Sequence, residues 1–302
     1  MRKTVSQSMN IRLLHRDEIE KARWNGCVHY APNGNVFGYM WFLDHVAKDW
    51  CGLVEDEYHS VFPLVYRTDR LGRSRLVQPR WMREMGIYSV RALSPGRIRA
   101  FLEAIPDPYK KVDIAVGAAN RPPEDMDFRV GKQANYYLDL GFSYEELADR
   151  FSSELFTQLN RAQEEELLPV SGIKPERIAG FFAGQTHTHS PDQHALLRIM
   201  YNALHRGWGF ASAVKDRNDQ LLAADFFVYS HGRVMSLLGD AVGDRSGSPA
   251  WAFLYQLLIH SHAGRPIVLD FNSPHAGFAG SFGAREYPYL QLQRNDRWLG
   301  LW

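Results

Sequence analysis

Asp270, Asn272, Ser273 and Tyr287 are the residues of this chain best suited by type and spacing to chemistry. An apolar run, Ile267 to Leu269, ends on the acid, Ser273-Pro274 opens a short helix, and Phe282-Gly283-Ala284 leads into a Tyr-rich strand. That order sets a carboxylate, a carboxamide and a hydroxyl at the C-terminal end of a strand and beside a helix N-terminus, where α/β proteins present ligand-binding groups. Asp270 has a structural reading as well, as a cap on the helix that starts near Pro274. Tyr287 reads equally as a packed strand aromatic.

Other clusters carry less. His187-Thr188-His189 with His194 invites a metal, but the cluster precedes a helix start and lacks an H-E-x-x-H or comparable spacing, so no metal is expected. His260 and His262, two apart on a helix, face different sides. Only Cys27 and Cys51 occur, with no C-x-x-C, a pattern that suggests neither a disulfide framework nor a cysteine-based zinc site.

Composition bounds the rest. The chain has 302 residues, 45% of them hydrophobic, with 35 Lys and Arg against 34 Asp and Glu for a net charge of +1. Such a balance argues against a surface built throughout to bind nucleic acid. Locally the picture differs: nine arginines lie between Arg67 and Arg99 against only Asp69 and Glu84. This segment could receive phosphates or carboxylates through guanidinium contacts, or be a solvated surface. Residues 1–10 lack the apolar centre of a signal peptide, and no run approaches the roughly 18 apolar residues of a membrane-spanning helix. A soluble, cytoplasmic protein without membrane insertion is the expectation.

The elements that must hold these groups are legible in the punctuation. Ser190-Pro191-Asp192-Gln193 starts a helix that Gly207 ends. Phe210 to Val214, Leu221 to Tyr229 and Val234 to Leu238 read as an antiparallel meander. Ser248-Pro249 opens a helix carrying Trp251, Leu254 and Leu258, and the strand Ile267 to Phe271 follows. In the first half Val36 to Lys48 reads as helix, and Gly52 to Glu55, Ser60 to Tyr66 and Arg75 to Gln78 as strands. Ser94-Pro95 opens another helix, and Val112 to Val116 is again strand. The two halves repeat one order, which predicts an α/β fold of mixed sheets made by tandem duplication, with units 1–134 and 135–302. Ser143 and Glu146 form a capping-box pattern, and the helical region near 143–168 is expected to bridge the halves.

On these elements, several separated blocks resemble the bacterial FemAB-like proteins of the GNAT acyltransferase superfamily. They are Trp24-Asn25, Ala31-Pro32-Asn33-Gly34, Met40-Trp41-Phe42-Leu43-Asp44, Val61-Phe62-Pro63-Leu64, Gln78-Pro79, Asn135-Tyr136-Tyr137-Leu138-Asp139-Leu140 and the block from Asp270 to Ala284. The resemblance covers nearly the whole chain. It implies two tandem GNAT-like units and transfer of an acyl or aminoacyl group to an amine acceptor, a small molecule or a peptide. The donor it implies is acyl-CoA or, as in the Fem peptidyltransferases, aminoacyl-tRNA. Asp270-Phe271-Asn272-Ser273 departs from the family's usual Asp-Phe-(Glu/Gly)-(Gly/Ser) element. Glu164, Glu165 and Glu166 fall where relatives are often basic and would repel RNA phosphates.

Within that frame Asp270 would position or deprotonate the amine, Asn272 and Ser273 would bind the acyl oxygen or the acceptor, and Tyr287 would protonate the leaving group. A cofactor pyrophosphate would fall at Gly239 to Ala250, with Gly239, Gly243, Gly247 and Ser248 giving backbone access. Against this, Asp240 and Asp244 carry the wrong charge, and the glycines could simply turn the chain. Trp24, Trp41 and Trp81 are candidates to line an acceptor groove, with Trp24 and Trp81 expected at the surface. An alternative of a different class is a catalytically silent binding protein that holds an anionic, peptide or sugar ligand. The oligomeric state is left open.

Overall fold

The computed structural model describes residues 9–109, 111–186 and 193–294. Its contacts divide the chain into two units, one holding the residues up to Gln133 together with those from Pro288 onward, the other Ala134–Tyr287. Residues 288–294 thus fall in the first unit, where the sequence expectation gave them to the second. The reason is pairing: the last strand continues past Tyr287 and lies along a strand of the first unit from Tyr289 to Arg294.

In the first unit the order is β1 (Ile11–His15), α1 (Lys21–Tyr30), α2 (Met40–Val46), β2 (Trp50–Glu55), β3 (Ser60–Thr68), β4 (Ser74–Val77), β5 (Tyr88–Ser89), α3 (Pro95–Glu103), β6 (Val112–Gly117) and the start of β7 (Arg129–Asp139). Strands β1 to β4 are antiparallel neighbours, β6 joins β4 in parallel, and the last strand closes the row on β6. β5 pairs with β3. The expected helix over Val36 to Lys48 is interrupted: a single 3-10 turn, Val36–Gly38, precedes α2, and Tyr39 between them is extended. Gly38 is pressed against the Tyr88 ring, where a Cβ would lie 2.6 Å from it. Only a glycine fits that approach. Ser94 caps α3 as its Ser-Pro start requires, its hydroxyl accepting from Arg97 N–H at 3.2 Å.

Within the second unit β7 ends, and α4 (Tyr144–Ala148), α5 (Ser153–Glu164), β8 (Leu168–Ser171), α6 (Pro175–Thr186), α7 (Gln193–His205), β9 (Gly209–Lys215), β10 (Leu221–Ser230), β11 (Arg233–Ala241), α8 (Pro249–His262), β12 (Val268–Asp270), α9 (Ala276–Ser281) and the start of β13 (Arg285–Arg294) follow. The strands run β8, β9, β10, β11, β12, β7. All neighbours are antiparallel except β11 and β12. Set beside the first unit, the order repeats: an edge strand, a three-stranded meander, a helix, a parallel strand, and a final antiparallel strand.

Sequence chemistry explains the joints. His231 and Gly232, both with positive φ, make the two-residue turn from β10 to β11. Ser143 and Glu146 complete a reciprocal capping box on α4. The helical region near 143–168 forms α4 and α5 of the second unit, where α5 packs on α8. Ala223 to Val228 of β10 are buried without alternation, marking it as the central strand. Around it Leu155, Phe227, Leu254, Tyr255, Leu269 and Phe282 form the core. No helix among the described residues is long and apolar enough to cross a membrane.

Candidate functional site

Asp270 closes β12, a three-residue strand whose Leu269 is sealed in the core of the second unit. The acid is itself fully buried, 0% exposed, so it must be satisfied from within. Three donors do this. Asn135 Nδ2 donates to Oδ1 at 2.8 Å, the Asn272 N–H donates to the same oxygen at 2.9 Å, and the Tyr287 hydroxyl donates to Oδ2 at 2.7 Å. Arg233 adds its charge, with Nη1 3.6 Å from Oδ2.

Each donor arrives for a local reason. Register pairs Asp270 with Tyr137 on β7, and Asn135 lies two residues along on the same strand. Asn272 has φ +48, a left-handed conformation that asparagine tolerates, and this bend brings its N–H back to the acid two residues earlier. The same bend delivers the Ser273 N–H to Asn135 Oδ1 at 2.9 Å. Asn135 Nδ2 also reaches the Tyr287 hydroxyl at 2.5 Å, so one asparagine ties three other residues together. Arg233, at the first position of β11, lays its guanidinium 5.2 Å from the centroid of the Tyr287 ring while 40% of its side chain stays exposed.

The structure therefore brings Asp270, Asn272, Ser273 and Tyr287 together and adds Asn135 and Arg233, neither of which the sequence places at the site. Asp270 does not cap the following helix. α9 begins only at Ala276, its N-cap His275 makes no side-chain bond, and the nearby turn is held by Ser273 Oγ accepting from His275 N–H. Enclosed as it is, Asp270 cannot touch a substrate. Tyr287 and Arg233 are partly exposed, as are Asn272 and Ser273.

The glycine loop folds differently from the expectation. Gly239 is a glycine because the Asp225 carboxyl and the Trp251 ring fill the space beside it: an added Cβ would lie 2.4 Å from Asp225 Cγ and 2.5 Å from the ring. Ser248 caps α8, its hydroxyl accepting from Trp251 N–H at 3.3 Å, and Pro249 has no N–H to offer. Asp244 caps the turn Arg245–Gly247, and Arg245 binds the Gly239 carbonyl and lies 3.7 Å from Asp240. Gly243 and Gly247 are open. Two acids, one committed arginine and a capped helix start do not fit a pyrophosphate.

Trp24 and Trp41 are core residues of the first unit, a correction to the groove they were expected to line. Trp24 is 0% exposed and gives its indole N–H to the Gly38 carbonyl at 2.8 Å, and Trp41 packs edge-on against Phe42. Apolar surface of that size is worth more buried than presented. Trp81 is half-buried, with Arg80 stacked over its ring at 4.7 Å. Glu165 and Glu166 pair with Arg161 and Arg217, which offsets the repulsion expected of them. His187 and His189 lie outside the described residues, while His194 is exposed on α7. Among the described residues no group of three or more His, Cys, Asp or Glu is placed to hold a metal ion.

No protein-family profile and no curated protein sequence matches the chain. Solved structures do. The fold is similar to that of FemX, at 10% identity, a TM-score of 0.60 and coverage of 92% of this chain and 96% of that one. It is similar to L-PGS from Bacillus licheniformis, at 12% identity, a TM-score of 0.56 and coverage of 93% of each chain. A conserved protein of unknown function from Bacteroides thetaiotaomicron matches at 13% identity and a TM-score of 0.54, over 91% of this chain and 98% of that one. The fold is thus similar to that of FemX, as the sequence resemblance to FemAB-like proteins implied.

Proposed function

We propose that the protein is an N-acyl or aminoacyl transferase, and that its chemistry is done at Tyr287 and Arg233 on the frame set by Asp270 and Asn135. The observation that carries this reading is the buried carboxylate bonded to a partly exposed phenol. Attack of an amine on an activated acyl group requires that a proton leave the nitrogen and that an oxyanion be stabilised. Tyr287 takes the amine proton at its oxygen while its own hydroxyl proton passes to Asp270. When the tetrahedral intermediate collapses, the proton returns by the same route to the leaving sulfur or oxygen. The half-exposed Arg233 guanidinium supplies positive charge for the acyl oxygen, and Asn135 holds the phenol in place. Asp270 acts only through Tyr287, as a positioning and proton-holding residue.

Asn272 and Ser273 shape the site chiefly through their backbone N–H groups, which hold Asp270 and Asn135. The acceptor is an amine on a small molecule or peptide. For the donor, the loop from Gly239 to Ser248 gives acyl-CoA no pyrophosphate cradle, so an aminoacyl ester on tRNA is favoured. Duplication of one ancestral unit accounts for the repeated element order.

Donor binding is testable by thermal shift, because a ligand that binds only the folded state raises its stability by mass action. Aminoacyl-tRNA is expected to raise Tm saturably at constant ionic strength, and acetyl-CoA to leave it unchanged. Saturable stabilisation by acetyl-CoA would reverse the donor assignment, and no response to any donor would contradict the transferase reading.

A further inference from the structure

The arginine-rich segment of the first unit divides into two kinds of residue. Arg73 is paired with Asp69, Arg83 with Glu84, Arg97 with Glu55 and Arg99 with Asp125. Arg67 and Arg75 have no carboxylate within ion-pair distance among the described residues. They nonetheless stand directly opposite each other on β3 and β4. Like charges in that position destabilise a strand pair.

Lys111 joins them, because its carbonyl accepts from Leu76 N–H at 2.9 Å and the parallel register sets it beside Arg75. The three cations share one face of the sheet with Asp113, Gln291 and Gln293, while Ile114 and Leu292 turn to the core. Together they line a cavity of about 410 Å³, with Val77 as the apolar side chain on that face. A cavity of that size lies in the range of roughly 300–1,000 Å³ that holds small ligands. Both Asp113 contacts are amides: Gln291 and Gln293 donate to its Oδ1 at 2.7 and 3.2 Å. The acid makes no ion pair with any of the three cations among the described residues.

We propose that this cavity binds a phosphorylated small molecule, with a phosphate or diphosphate between Arg67, Arg75 and Lys111 and the organic part against Val77. Three converging cations exceed what one carboxylate can satisfy, whereas a phosphate offers up to two charges and three acceptor oxygens, and guanidinium groups bind it in paired geometry. Three cations around a bounded cavity, with an acid at its edge, suit a small anion better than an extended nucleic-acid backbone. The site belongs to the first unit alone and does not depend on the transferase reading.

Isothermal titration of the full chain with pyrophosphate and with ADP, at fixed chloride, tests it. Saturable one-to-one binding of at least one probe is expected. Arg67→Gln and Arg75→Gln should each weaken it by about tenfold or more, the loss of a charge-assisted contact. Asp113→Asn should tighten it severalfold, by removing the one negative charge. All three side chains are exposed, so unchanged circular dichroism is expected for the variants, with Tm no lower than that of the wild type for the two arginine variants, which lose the repulsion across β3 and β4. The proposal is overturned by any of four results: no saturable binding of either probe, equal binding by wild type and both arginine variants, weaker binding by Asp113→Asn, or binding of tRNA alone with a steep salt dependence.

Discussion

Between pH 4 and pH 8 the wild-type chain is expected to lose stability relative to an Asp225→Asn variant by about 4 kcal/mol, the value of a carboxyl pKa moved from roughly 3.9 to 7. Asp225, on the central strand β10, is 0% exposed, and burial pushes its carboxyl up to about 7. Ser236 Oγ and the Tyr255 hydroxyl both donate to Oδ2, at 2.7 and 2.9 Å, and Oδ1 has no hydrogen-bond partner. The two donors favour the charged form, but they do not offset the loss of water around the acid. Because the folded-state pKa lies above the unfolded one, the native chain holds a proton that the unfolded chain has lost. The contribution is therefore complete below about pH 4 and is lost as pH rises through about 7. An asparagine does not titrate, so the difference between the two proteins isolates this one group from the surface carboxylates, whose shifts run the other way. Urea unfolding at one-unit pH intervals gives the curve. A flat difference would mean that Asp225 is ionised in the native state.

The second large effect falls on the candidate site. Asp270→Ala should destabilise the chain by about 3–5 kcal/mol, because it strips a buried acceptor from the Asn135 amide, the Asn272 N–H and the Tyr287 hydroxyl and leaves Arg233 without its acid. Asp270→Asn keeps the volume and one acceptor oxygen, and should cost about 1–3 kcal/mol. Thermal and urea unfolding measure both. If Asp270→Ala costs no more than a surface substitution, the network does not hold the site together.

Much of the frame is legible in sequence because its signals are local. Ser94-Pro95, Ser143 with Glu146, and Ser248-Pro249 each place a helix start where the caps are found, since a hydroxyl and a fixed φ act over three or four residues. The meander from β9 to β11 is equally plain, bounded by turns at Asp216 and His231. β1, α1, α6 and β8 escaped because their patterning is weak. Lys21–Tyr30, for example, buries only Trp24, Cys27 and Val28.

At the site, Asp270, Asn272, Ser273 and Tyr287 were visible as one contiguous block. Asn135 and Arg233 were not, because they reach Asp270 only through strand register on β7 and β11. A hint did exist: asparagine is poorly suited to an aromatic strand such as Asn135-Tyr136-Tyr137 unless its amide has work to do. Trp24 was misplaced because the following Asn25-Gly26 suggests a turn. Both residues lie instead within α1, and the Asn25 side chain accepts from the Met40 N–H at the start of α2.

The central claim is that Tyr287 moves the proton in acyl transfer, and Tyr287→Phe tests it most directly. The variant removes one hydroxyl and leaves Asn135 bonded to Asp270, so it should fold with a loss of about 1–2 kcal/mol. Transfer of a labelled aminoacyl group from charged tRNA to a panel of amines would be followed with both proteins. Turnover by the wild type and a loss of about 10²–10⁴-fold in the folded variant are expected. Turnover by Tyr287→Phe at the wild-type rate would contradict the claim.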